Sequence, residues 1–171
     1  MALRKPKEVP KISKAREKNI DKLKKAIPKK KKEEIEFNCK FLFYYDKHEK
    51  KQKCRILLET VKLFTSLNYR ISVKSRKVKN EIDISIFGLS ARNDYLTEVK
   101  PAYEAIDFED LFGEHTVNII KQDGSINSAK IEFNLYKKQI NLIDEFIPPK
   151  KNNGKFCSFK VDESLFSFLP E

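Results

Sequence analysis

Histidine and cysteine are scarce in this chain: two histidines, His48 and His115, and three cysteines, Cys39, Cys54 and Cys157, among 171 residues. The histidines are isolated, so His-based hydrolysis and a His-rich metal centre have little support. The cysteines lie far apart with no paired spacing, which argues against structural zinc and against a disulfide framework and leaves them as core or near-surface thiols. Long apolar runs are missing too. Phe41-Leu42-Phe43-Tyr44-Tyr45 is far too short to cross a bilayer, and Met1 to Pro10 holds nothing like a secretory signal. The expectation is an intracellular protein, cytoplasmic or at the nucleoid or nucleus, with no membrane partner. Tryptophan is absent and no internal repeat is visible, yet 13 phenylalanines and a hydrophobic content of 40% support a packed body.

What the chain does have is positive charge, unevenly placed. Lys and Arg number 36 against 25 Asp and Glu, a net of +11; residues 1–34 hold 14 basic and five acidic residues, so they carry +9 and the rest only +2. With Pro6, Pro10 and Pro28, several lysine runs and few apolar residues, residues 1–35 read as a flexible basic arm with a helix around Lys14 to Ala26. Lysines such as Lys29, Lys30, Lys31 and Lys32 bind polyphosphate without reading sequence. A solubilising or targeting tail, or an arm threaded into a large assembly, is the plainer alternative. Residues 36–171, about 135 in number, suffice for one domain with a real core.

Within that body, Glu81-Ile82-Asp83-Ile84-Ser85-Ile86 and Leu96-Thr97-Glu98-Val99-Lys100 both alternate with period two, and Gly88 to Asp94 supplies breakers between them. They read as a hairpin, in which Asp83 falls opposite about residue 99 of an antiparallel ladder. Glu98 and Lys100 share one face of the second strand. Two carboxylates this close repel unless a cation sits between them, and an all-oxygen pair suits Mg²⁺ or Mn²⁺ rather than zinc. A solvated strand face is the bland reading of the same residues.

These residues resemble the PD-(D/E)xK nuclease superfamily, whose restriction-endonuclease-like fold carries an acid on one strand and Glu-x-Lys on the next. Here Ile82, not proline, precedes Asp83. The resemblance implies an α/β architecture, a mixed sheet in an αβββαβ core over roughly residues 51 to 161, with a β-hairpin inserted and the basic arm in front. It implies a metal-dependent endonuclease, acting on DNA more than RNA, alone or as a homodimer or part of a larger complex. Asp83, Glu98 and the backbone carbonyl of Val99 would hold Mg²⁺ or Mn²⁺ against the scissile phosphate, where the ion activates a water. Lys100 would orient that water or stabilise the transition state.

Two amphipathic stretches fit the flanking helices. Over Lys51 to Leu67, Leu57, Val61 and Phe64 form one stripe and Ile56, Leu63 and Leu67 another, and Glu59 falls on the second. Between Glu132 and Phe146, Phe133, Tyr136, Ile140 and Ile143 form a stripe beside Leu135, Leu142 and Phe146, and Gln139 interrupts the latter. By the resemblance, Glu59 supports a second metal or the water network, and Gln139 or Lys138 reaches the site. Otherwise Glu59 snorkels outward and Gln139 bonds a loop. The remaining order is a strand at Glu36 to Tyr45, another at Tyr69 to Val73, an acidic stretch at Glu104 to Phe112 with room for a short helix, a hairpin over His115–Lys121 and Ser125–Ile131, and a last strand at Phe156 to Val161.

A second class of function stands beside the enzyme: a non-catalytic protein whose arm docks on nucleic acid or a ribonucleoprotein while the body makes protein contacts. The nearly neutral body favours it. Arg70, Lys74, Arg76, Lys77 and Lys79 are the body residues placed to line one side of a nucleic-acid cleft.

Overall fold

A computed structural model describes residues 33–95, 98–149 and 153–169. The basic arm, with Lys29, Lys30, Lys31 and Lys32, lies almost wholly outside the described residues. In the rest, alternation with period two runs nearly unbroken, and nine strands result: β1 (Phe37–Asp46), β2 (Lys51–Phe64), β3 (Leu67–Val78), β4 (Glu81–Tyr95), β5 (Lys100–Phe108), β6 (Gly113–Ile120), β7 (Ile126–Asn134), β8 (Gln139–Phe146) and β9 (Cys157–Val161). Among the described residues the only helical element is a three-residue 3-10 turn, Glu163–Leu165.

The strands make one sheet in the order β8-β7-β6-β4-β3-β5-β2-β1-β9. It curls into a nearly closed barrel because one face of almost every strand is apolar: Cys39, Phe41 and Phe43 of β1, Ile56 and Leu58 of β2, Ile82 and Ile84 of β4, Val117 and Ile119 of β6, and Ile131 and Phe133 of β7 are all buried. Phe41 stacks on Phe159 at 6.2 Å and meets Phe133 edge-on at 6.3 Å, so one ring joins β1, β9 and β7. Burying a side chain of this size is worth about 1.5–3 kcal/mol. At the open seam the Lys155 ammonium lies 3.2 Å from the Glu145 carboxylate. Asn127 clamps the same seam from inside: its side-chain oxygen accepts from the amides of Phe156 and Cys157, both at 2.8 Å, and its amide donates to the Gly154 carbonyl at 2.9 Å.

This architecture overturns the α/β, restriction-endonuclease-like expectation. The stretch Lys51 to Leu67 is not a helix but β2 and the start of β3. Leu57 sits between the buried Ile56 and Leu58 and faces outward, into a half-buried apolar patch shared with Leu42 and Ala105. Apolar residues on both faces of a strand imitate a helical stripe. Glu132 to Phe146 is not a helix either. It is the end of β7, a turn and β8; Lys137 donates its amide to the Asn134 side chain at 3.0 Å, and Lys138 takes a left-handed φ of 54°. An asparagine carries that turn without glycine or proline. The acidic stretch expected to include a short helix falls largely in β5, and the 115–131 hairpin, β6 with β7, belongs to the sheet itself rather than to an insertion.

The expected pairing of the two site segments is also corrected. β4 pairs antiparallel with β3 and parallel with β6, while β5 pairs with β2 and, at Arg70 and Tyr103, with β3. Among the described residues β4 and β5 share no ladder. Asp83 therefore faces Arg76 and Asn118 rather than a residue near 99.

Candidate functional site

β4 presents Ile82, Ile84 and Ile86 to the core, so Glu81, Asp83 and Ser85 point outward. There Asn118 of β6 donates to Glu81 and to Asp83, each at 2.8 Å, and accepts from the Ser128 hydroxyl at 2.6 Å. One amide ties three strands together, and its two donor bonds go to two carboxylates. This polar knot escaped sequence reading because its partners come from strands that only folding brings alongside.

The other carboxylates predicted to act lie elsewhere. Twelve residues of strand, a path of about 40 Å, separate Asp83 from Tyr95. Glu98 follows in the loop, its side chain 76% exposed and 3.8 Å from the Lys100 ammonium. Val99 is exposed, and Lys100 opens β5 opposite Phe64. Glu59 stands on the outer face of β2 with its carboxylate 2.7 Å from Lys40, so its charge is answered by an ion pair. Gln139 is exposed at the start of β8 opposite Asn134, and the Lys138 ammonium lies 5.0 Å above the Phe168 ring. The residues read as metal ligands are not gathered, and among the described residues no group of three or more His, Cys, Asp or Glu is placed to hold a metal ion. These residues do not fit a shared Mg²⁺ or Mn²⁺.

Nor do the thiols offer a nucleophile. Burial pushes Cys39 and Cys157 well up, and Cys54 up to about 12, so all three stay protonated near neutrality. The basic residues of β3 divide by strand parity. Lys74 and Arg76 are exposed on the outer face, alongside Ser85 and Asp83. Lys77 falls on the opposite face and reaches the Asp110 carbonyl at 3.2 Å, and Lys79 sits in the β3–β4 turn with φ 54°.

A further surface lies on the outer face of β1, β2 and β5. Leu42, Leu57 and Ala105 floor a depression of about 370 Å³ walled by Tyr44, Arg55, Glu59, Tyr103 and Leu165. Asp107 grips Arg55 through two bonds of 2.6 and 2.8 Å, which holds the guanidinium 3.5 Å above the Tyr44 ring and raises its already high pKa. With its charge answered, Arg55 presents a flat, rigid face rather than a free phosphate anchor. The depression offers apolar and aromatic contact, and the carboxylate that lines it, Glu59, is the one paired with Lys40. The signal for it was present in the consecutive apolar residues 41–45 and 56–58, which two-faced burial requires. Compared with protein-family models, curated proteins and solved structures, the chain matches none.

Proposed function

We propose that this chain is a non-catalytic, nucleic-acid-associated binding protein: residues 1–34 dock on phosphate backbone, and the barrel body serves as the platform for protein contacts. The separation of charge carries the reading. Of a net +11, the first 34 residues hold +9 through 14 basic and five acidic residues. In the body many cations are already answered, Lys40 by Glu59, Lys53 by Asp46, Arg55 by Asp107, Lys121 by Glu36 and Lys130 by Glu114. Lys74 and Arg76 have no ion pair among the described residues and add a minor second contact. Affinity of this kind is electrostatic and independent of base sequence, so DNA and RNA both serve as ligands.

The test is binding of the full chain to single- and double-stranded DNA and RNA between about 50 and 200 mM salt. Replacing Lys29, Lys30, Lys31 and Lys32 together with Gln should flatten the slope of log affinity against log salt by about 3 to 4 on duplex DNA. An unchanged slope and affinity would sink the arm reading. Cutting that needs Mg²⁺ or Mn²⁺ and is lost in Glu98→Ala and Lys100→Ala would instead establish the nuclease.

A further inference from the structure

β4 is the longest strand of the sheet, and it outruns its neighbour. Its pairing with β6 ends at Ser85 opposite Ile120, whereas the strand continues to Tyr95 with β3 on its other side. Gln122, in the β6–β7 turn, donates to the Phe87 carbonyl and covers the start of the unpaired edge. From Leu89 to Tyr95 that edge has no strand partner among the described residues. Phe87, Leu89 and Tyr95 are 54%, 44% and 83% exposed along it. An open edge with apolar side chains is a template for strand addition; neither proline nor lysine lies along this one, and its ladder with β3 shifts register at Phe87 and again between Ala91 and Tyr95.

The charges on the edge indicate what adds to it. Arg92 and Asp94 flank Asn93 in the stretch where the ladder with β3 shifts register, so their contacts rather than strand alternation place them. Neither has a counter-ion in its own chain among the described residues: the Arg92 guanidinium lies 5.5 Å from the Tyr103 ring centre, and Asp94 accepts from the Asn68 amide at 2.8 Å. We infer that β4 pairs with β4 of a second copy of this chain, antiparallel and two-fold about Asn93. That register sets Arg92 opposite Asp94 of the partner copy twice over, with Ala91 opposite Tyr95. Moving the two-fold to residue 92 sets arginine against arginine, so the charges select the register. The contact is isologous and closes on itself. It is also short, below the area of a permanent interface, so the dimer is a reversible one in the micromolar range. The inference is independent of the nucleic-acid reading.

Sedimentation of the full chain over a wide concentration range, without nucleic acid, tests it. The wild type should pass from monomer to dimer. Arg92→Asp and Asp94→Arg should each weaken association roughly tenfold or more, and R92D/D94R together should restore it. Lys74→Asp, a reversal of charge on the same hairpin away from the edge, should leave it unchanged, and circular dichroism confirms that each variant is folded. A monomer at every concentration, a dimer indifferent to both reversals, or a double variant that is not rescued overturns the proposal.

Discussion

Asn127 shows how much one polar side chain decides in this barrel. It is 2% exposed, and its bonds to Phe156, Cys157 and Gly154 join β7 to the segment that opens β9 across the seam. In Asn127→Ala the two amides lose their acceptor while remaining buried, so stability should fall by about 2–5 kcal/mol in urea titration. A loss under about 1 kcal/mol would mean that water or a neighbour replaces the clamp. His115 decides a pH dependence. It is 4% exposed, its ring meets Phe133 edge-on at 5.9 Å, and burial holds its pKa below the usual imidazole value. The unfolded chain then takes up a proton before the folded one does. Stability is unaffected above about pH 6.5 and falls as pH drops from there through the lowered folded value. His115→Phe should remove that part of the acid sensitivity in denaturation curves recorded at successive pH values.

Turns built on lysine set the hairpins at the level of elements. Lys50, Lys79 and Lys138 all adopt φ 54°, a left-handed conformation that a Cβ disfavours. Lys79→Gly should be neutral or slightly stabilising, whereas Lys79→Val should cost about 1–2 kcal/mol, because a branched side chain tolerates that φ least. Equal midpoints for the two variants would show that the turn relaxes. These lysines also explain much of what could not be read in advance. The strands at Phe37–Asp46, within Leu67–Val78, at the start of Glu81–Tyr95, and at Cys157–Val161 were legible because alternation was clean and breakers bounded them. β2 and β8 were not: one is apolar on both faces at Ile56-Leu57-Leu58, and the other follows a turn whose residues, Leu135 to Lys138, carry no glycine or proline signal.

For the molecule as a whole, topology governs how the chain folds. β1 pairs in parallel with β9, Phe37 beside Cys157, so the first strand waits for nearly the last before that ladder can form. Such long-range pairing folds slowly, and refolding from urea should take on the order of milliseconds to seconds in stopped-flow fluorescence of the tyrosines. A submillisecond phase that carries the whole amplitude would contradict this. Among the described residues no helix is long and apolar enough to cross a membrane.

By itself the sequence determined the segregation of charge, the sparse and unpaired thiols, and the period-two faces that put Ile82 and Ile84 inside and Asp83 outside. These depend on residue type and on neighbours two positions away, which any extended strand obeys. Only the tertiary structure decided the company each strand keeps. Alternation names the face of a side chain but not the strand beside it, and Asp83 could meet Glu98 only if β4 and β5 were neighbours. In this sheet β3 and β6 flank β4 instead, which gives Asp83 to Asn118, leaves Glu98 in solvent, and turns the far half of β4 into an open edge.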